Sequence, residues 1–398
     1  MANAHNKYSL VDLFAGAGGL SLGFKMSGFF EPVAAVESNS KVADTYEANI
    51  GIKVIRKEVG KVGFEELLRD ANSKGFTSID AVIGGPPCRP FTTANKGGTR
   101  WVIVKKENEE LEHPDWHALW RIIEVLSPKP RVVVAENVMG LKNHDEVFSK
   151  FIDRLGKYYT KISRELHADC FGVPQNRKRL FIAGIRDFDG DPESILPKNP
   201  QAESIKKITV KEAIGDLPEL SNNSVKSPIS KYLEGRPTRY QSLRRIKCSA
   251  LFDHCTHSVQ PVMAERFKYI PEGYSLRKAW EEGLVPKEVM TSEYYLQNRK
   301  RKFSEKTIEN MHSNIYRRLK WDNVSCTITH VRKTVLIHPN QDRLISVREA
   351  ARLQSFPDWF RFSGSTSQQY QQIADAVPPL LAQVIATNLG KLLINMRH

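Results

Sequence analysis

The chain is poor in cysteine. Five occur among 398 residues, an odd number and widely spread, which excludes a disulfide-stapled scaffold and points to a reducing cytoplasm. No apolar stretch is read as reaching the roughly 20 residues that span a bilayer, so no membrane association is expected. The start, Met1 to Lys7, is polar and lacks the basic-then-apolar pattern of a secretory signal. Internal repeats and low-complexity tracts are missing. So is a phosphate-cradling P-loop, and so is a strict G-x-G-x-x-G, because Ser21 stands where its last glycine would be. Acidic residues are in deficit: 45 Asp and Glu against 59 Lys and Arg leave a net charge of +14. That balance suggests a polyanionic partner. What remains is an ordinary globular composition, long enough for two or more domains with full cores.

The first half alternates strands and helices. Tyr8 to Phe14, Pro32 to Val36, Val54-Ile55, Ile79 to Ile83 and Arg131 to Ala135 read as strands, with Arg179 to Gly184 a later one. Strand, helix, strand in this rhythm implies a mostly parallel sheet with helices on both faces, an α/β fold. The rhythm breaks near Phe188. From Asp189 to about Asn323, prolines, turns and basic clusters replace it: Lys206-Lys207, Arg244-Arg245 with Lys247, Arg299 to Lys302, and Arg317-Arg318 with Lys320. Interleaved aromatics suggest a second domain facing a phosphate backbone. Val347 to Gln354 and Pro378 to Leu393 read as helices.

Two strand ends carry chemistry. At Gly84-Gly85-Pro86-Pro87-Cys88, two glycines turn the backbone sharply and two prolines stiffen it. A cysteine is thereby aimed at the carboxyl edge of the sheet, where open α/β sheets bind ligands. Near the start, Gly16-Ala17-Gly18-Gly19 opens a helix whose free N–H groups suit a carboxylate or phosphate. Glu37 ends the next strand about twenty residues later, where a carboxylate can bind both hydroxyls of a ribose. Cys248, His254, Cys255 and His257 fit no standard zinc spacing, and no metal is expected.

These residues resemble the DNA (cytosine-5) methyltransferases, in that family's motif order and over most of the chain outside the central segment. DLFAGAGGLSLG, Asp12 to Gly23, is similar to the first motif, which holds S-adenosylmethionine. Pro87-Cys88 is similar to the catalytic proline–cysteine pair, and Glu136-Asn137-Val138 to the Glu-Asn-Val motif. Gln175 to Arg179 is similar to the Gln-x-Arg-x-Arg motif. Arg348 to Pro357 resembles the ninth motif, and Ser367 to Pro379 the last. Departures are Arg89 after the cysteine, Thr92, Lys57-Glu58 near the adenine position, and Ala374-Asp375 in place of Gly-Asn.

The resemblance implies a Rossmann-like S-adenosylmethionine-dependent methyltransferase domain with a smaller, irregular target-recognition domain. The expected boundaries are 1–188 for the catalytic and cofactor domain and 189–345 for recognition. A motif-bearing hinge over 346–364 and a completing C-terminal helix over 365–398 follow. It implies Cys88 as nucleophile, Glu136 on the ring nitrogen, and Arg179 with Arg177 on the base's carbonyl oxygen or a phosphate. Asp12, Phe14, Ala15, Gly16, Gly18, Gly19, Leu20, Glu37, Pro86, Asp375 and Ala376 would hold the cofactor. Arg89, Thr92, Lys96, Gly97, Thr327 and Ile328 would meet DNA, with Thr92 to His113 as a lid. The implied activity is methylation of carbon 5 of cytosine in double-stranded DNA, with the base flipped out. The compact length suggests the modification half of a bacterial restriction–modification system, or a solitary enzyme. A cytoplasmic monomer is expected, making no stable complex with its cognate endonuclease. Rival readings are a tRNA cytosine-5 methyltransferase, which the long central segment opposes, and a catalytically impaired DNA-binding regulator, which Cys88 and Glu136 oppose.

Overall fold

The computed structural model describes residues 7–87, 114–143, 145–201, 204–221, 231–291, 293–296, 299–302 and 315–396. Two compact units emerge. The first comprises Met1–Phe171, Lys178–Ile205 and Ala376–His398; the second comprises Gly172–Arg177 and Lys206–Asp375.

In the first unit the chain runs β1 (Tyr8–Leu13), α1 (Gly19–Met26), β2 (Phe30–Val36), α2 (Ser40–Ile50), β3 (Val54–Ile55), α3 (Phe64–Ser73), β4 (Ala81–Gly84), α4 (Pro114–Val125), β5 (Val132–Asn137), α5 (Asp145–Leu155), β6 (Tyr159–His167) and β7 (Lys178–Arg186). The strands form one sheet in the order β3-β2-β1-β4-β5-β7-β6. β1 to β5 are mutually parallel. β7 alone runs against both its neighbours, β5 and β6. The mostly parallel sheet expected from the sequence is present, with β6 as an additional edge strand.

Parallel strands covered on both faces read as unbroken apolar runs, and β1 and β5 are buried at every position. Val11 and Leu13 join Leu67, Trp116, Leu119 and Phe151 in the core beneath α3, α4 and α5. Asp12 lies between them in the strand, so its side chain points to the opposite face and there meets Ser21 of α1. On that side α1 packs tightly against the helix Pro379–Asn395. Gly23 permits the approach: a Cβ there would lie 2.3 Å from the Ala382 Cβ and 2.5 Å from the Pro379 carbonyl oxygen. By length and apolarity the stretch Thr366–Asn395 could cross a membrane, which corrects the sequence reading. However, 56% of that window is buried inside the molecule, and Leu381, Ile385 and Leu389 are core residues.

The stretch 189–205, expected in the recognition domain, belongs to the first unit. Ile195 and Leu196 are buried, and Asn388 donates to the Ser194 and Ile195 carbonyls. The stretch Thr366–Asp375, expected to complete the catalytic domain, belongs to the second unit.

The second unit has short helices, small two-stranded sheets and long irregular connections. Such a chain leaves many backbone carbonyls without ladder partners, and these must be satisfied when buried. Arginine, with five donors in a rigid fork, supplies them. Arg348 donates to the Phe252, Pro357 and Phe360 carbonyls. Arg318 donates to those of Phe267, Ile270 and His338. Arg352, 0% exposed, is clasped by Asp358 at 2.7 Å and Asp216 at 2.9 Å. Arg244 is buried on the Ser355 carbonyl, and Arg245 pairs with Asp216 and lies over the Tyr232 ring. The reading of Arg244 and Arg318 as phosphate-facing is therefore corrected: these cations are internal braces, while Arg245 is half-buried in its ion pair. Arg299–Lys302 does form a strand, antiparallel to Glu293–Leu296.

Candidate active site

The strand order reverses between β1 and β4, and the carboxyl ends of those strands flank the crevice where such sheets take ligands. On one side of it lies the glycine turn. Phe14 and Gly16 adopt positive φ, and Gly18 follows at 91°. The Gly18 N–H donates to the Ala15 carbonyl at 3.0 Å, closing the turn just ahead of α1. Glu37, at the end of β2, accepts from the Gly16 N–H at 3.0 Å and from the Asn39 N–H at 2.8 Å. A carboxylate offers about four lone-pair sites, so two remain for ligand hydroxyls. A Cβ on Gly16 would meet nothing nearer than 4.0 Å, so space lies open above the turn. Ala15, Gly18, Gly19 and Leu20 are buried, while Phe14, Gly16 and Glu37 are half-buried. This open, donor-lined turn with an acidic partner fits a nucleoside-containing group.

Asp12 departs from expectation. It is 2% exposed and accepts from the Ser21 hydroxyl at 2.6 Å, so it lies beneath the turn rather than on its ligand side. Burial pushes its carboxyl up to about 7, opposed by the Ser21 hydrogen bond and helped by the charge of Glu37.

Across the crevice, β4 and β5 end side by side, Gly84 in register with Ala135. A Cβ on Gly84 would lie 2.7 Å from the Leu13 carbonyl oxygen, so only glycine allows β4 to close on β1 there. Asn137 donates to the Pro86 carbonyl at 2.9 Å, pinning the proline turn to the end of β5. Gly85 faces Glu136 closely enough that a Cβ would sit 3.4 Å from its Oε2. Glu136 in turn forms an ion pair with Arg179, Oε1 to Nε 3.0 Å, with both side chains largely buried. Pro86, Glu136, Asn137 and Arg179 come together here. Cys88, Arg89, Thr92, Lys96 and Gly97, with the suggested lid, lie outside the described residues.

Three further residues, all in the second unit, have other work. Arg177 is 1% exposed and donates to the Ile328 and Ala374 carbonyls at 3.1 and 2.7 Å. This corrects its reading as a base or phosphate contact. Ile328 is also 1% exposed, its N–H held by the Gln175 side chain at 3.0 Å, so its side chain cannot enter a DNA groove. Thr327, half-buried, donates to the Asn176 carbonyl. The Gln-x-Arg motif therefore anchors the Thr-Ile pair. Asp375 is exposed and accepts from Gln371 at 2.8 Å, while Ala376, the next residue, is buried in the first unit.

His254 bonds to Ser346 and to the Pro218 carbonyl, and Cys248 donates to the Ala250 carbonyl. Both side chains thus have partners of their own. Among the described residues, His167, Asp169 and Cys170 bring ligand-type atoms within 4.8 Å of one another. Sequence reasoning missed Ser21, Tyr46 and the Asn137 clamp. The serine at the third glycine position was the one available signal for the first.

Comparison with known proteins agrees with this fold. A solved E. coli prophage-encoded protein described as a DNA modification methyltransferase superposes with a TM-score of 0.71 at 23% identity, covering 98% of this chain and 100% of that one. The S. pombe Dnmt2 methyltransferase superposes at 0.56 with 14% identity, covering 98% and 100%. At these identities the likeness shows the fold. Among sequences, the Type II methyltransferase M1.HphI of Haemophilus parahaemolyticus is 32% identical over 97% of this chain and 87% of its own. M.XorII of Xanthomonas oryzae is 31% identical over 96% and 84%. The family model for C-5 cytosine-specific DNA methylases matches residues 8–391. The chain belongs to that family and is a DNA cytosine-5-methyltransferase.

Proposed function

We propose that this enzyme methylates carbon 5 of one cytosine within a specific double-stranded DNA word, through a covalent adduct between Cys88 and a base flipped out of the helix. The observation that carries this reading is the meeting of Glu136, Arg179 and the Gly85–Pro87 turn at one sheet edge, directly before Cys88. Carbon 5 of cytosine is a poor nucleophile. The Cys88 thiolate adds to carbon 6, the 5,6 double bond opens, and its electron pair makes carbon 5 nucleophilic. Glu136 delivers a hydrogen bond or proton to ring nitrogen 3, and Arg179 holds both Glu136 and the carbonyl side of the base. After transfer, loss of the carbon 5 proton to a base drives the thiolate out and restores the ring. S-adenosylmethionine supplies the electrophilic methyl group. Glu37 and the Gly16–Gly18 turn would take its nucleoside, with Phe14, Leu20, Pro86 and Ala376 as further candidates.

Arg89, Thr92, Lys96 and Gly97 are the proposed DNA contacts beside the flipped base. The relatives' names, Type II methyltransferases, support a role in protecting host DNA within a restriction–modification pair. The cognate endonuclease would act on the same word without forming a stable complex, and this chain would act as a cytoplasmic monomer. Duplex DNA with 5-fluorocytosine at the target tests the chemistry, because fluorine cannot leave as a proton. A stable adduct is expected from the native enzyme and none from Cys88→Ala. An adduct that survives this change sinks the assignment. Bisulfite sequencing of DNA from a methylation-free host expressing the chain reads the base and the word together.

A further inference from the structure

Two hydroxyls behind the glycine turn have no part in the chemistry above. Tyr46, on α2, donates to the Ser21 Oγ at 2.7 Å, and Ser21, on α1, donates to Asp12 at the end of β1 at 2.6 Å. Tyr46 and Ser21 are 0% exposed and Asp12 is 2% exposed. One buried line of hydrogen bonds thus ties three elements together. The Tyr46 ring also forms the floor of the turn: a Cβ on Gly18 would lie 2.8 Å from its Cδ2. Glu37, just ahead of α2, holds the Gly16 N–H from the other side. The turn is therefore clasped between two groups of one β2–α2 segment. A buried carboxylate is expensive unless it is hydrogen-bonded, and an apolar residue at position 12 would pack there without that cost. Its presence with two donors in series calls for a role beyond packing.

We propose that Tyr46 and Ser21 are positioning residues for the methyl donor, holding Asp12 and the end of β1 so that the Gly16–Gly18 turn and Glu37 receive the donor's nucleoside. This rests on reading the turn as the S-adenosylmethionine site. The groups facing Asp12 are Glu37 from the end of β2, Tyr46 from α2 and the Ser21 hydroxyl from α1. Ile83 of β4, its register partner, is uncharged. Burial, with the charge of Asp12 next, pushes the Tyr46 phenol above its ordinary value, so it stays a donor. Asp12 itself changes charge near neutrality. Donor affinity should therefore vary with pH in a way the two hydroxyls control.

Calorimetric binding of S-adenosylmethionine and of S-adenosylhomocysteine from pH 6 to 8.5 tests this, with thermal unfolding measured in parallel. Tyr46→Phe keeps the ring against Gly18 and removes only the donor. It should weaken binding about tenfold, the worth of one hydrogen bond, and displace the pH dependence. The loss should fall on KM for the donor rather than on kcat. Ser21→Ala should do the same and Ser21→Thr, which keeps an Oγ, should restore binding. If Ser21→Ala fails to fold, Tyr46→Phe carries the test alone. Native-like affinity and pH dependence in Tyr46→Phe, with only a lower melting temperature, would overturn the proposal. Should the native chain bind neither compound, the donor-site reading fails instead. Amide exchange at Gly16 and Gly18 in the free protein then decides: faster exchange in Tyr46→Phe supports its hold on the turn, and unchanged exchange ends it.

Discussion

At the scale of single residues, two carboxylates on opposite sides of the crevice are held in opposite ways. Glu136 is paired with a cation, Arg179; Asp12 is buried on the Ser21 hydroxyl, which in turn accepts from Tyr46. Glu136→Gln keeps the shape and the bond-accepting oxygen but loses the acid. Turnover should fall by about 100-fold or more, the usual size of a general acid–base contribution, while duplex binding by gel shift is largely kept. Normal turnover in that variant would remove Glu136 from the mechanism. Asp12 makes a prediction about stability. Its carboxyl stands at about 7 in the fold against 3.8 as the ordinary value. The folded state therefore binds its proton more tightly than the unfolded chain does. The resulting stabilisation is complete below pH 3.8 and is lost as pH rises through 7, at about 1.4 kcal/mol per pH unit within that window. Asp12→Asn still accepts from Ser21 and cannot titrate. Urea unfolding from pH 4.5 to 8 should show a flatter dependence in the variant, with the variant gaining on the native chain as pH rises. Parallel curves would show that Asp12 does not titrate in this range.

At the scale of elements, close approach governs. Gly23 lets α1 meet the helix Pro379–Asn395 where a Cβ would strike a backbone carbonyl at 2.5 Å. Gly390 lets the same helix meet the Phe29 ring, which is a side chain. Gly23→Ala should therefore cost about 1–3 kcal/mol in chemical denaturation, as overpacking does, and more than Gly390→Ala, where the ring can turn aside. Equal losses would show that the helix shifts as a body. The same physics decides what could be read in advance. β1, β2, β4 and β5 were legible because strands buried on both faces are mostly apolar runs between turn residues. The glycine turn and Glu37 were legible because they are set by local spacing. β6 was not: Tyr-Thr-Lys-Ile-Ser-Arg-Glu-Leu-His is an edge strand, mostly half-buried, with no such run. Arg177, Arg318 and Arg352 look in sequence like any surface cation. Their burial depends on carbonyls and carboxylates from far along the chain, such as Ala374, Ile270 and Asp216.

At the scale of the whole molecule, the net charge of +14 is not spread over one DNA-facing surface, since a set of arginines is enclosed in the second unit. Phosphate attraction must fall to other cations, and the basic run Arg299–Lys302, a strand in the fold, is the candidate. Neutralising it should weaken binding to all duplexes alike and flatten the salt dependence, leaving the preferred word unchanged. Which segment chooses the word is tested by exchange with a relative of known target. The expectation of a start at Asp189 is revised by the structure, because residues 189–205 pack in the first unit. An exchange of Lys206 to Asn323 should leave the first unit whole, and the second unit keeps its brace provided the donor supplies a carboxylate in place of Asp216. Without one, Arg352 would lose one of its two buried carboxylates, keeping Asp358, and the second unit should be destabilised. The chimera should methylate the donor's word through the same Cys88 chemistry, read by bisulfite sequencing. An exchange starting at Asp189 should be less stable, since it replaces Ile195, Leu196 and Asn199 beneath the helix Pro379–Asn395 and beside β6. An active Lys206 chimera that keeps the original word would place specificity outside this segment.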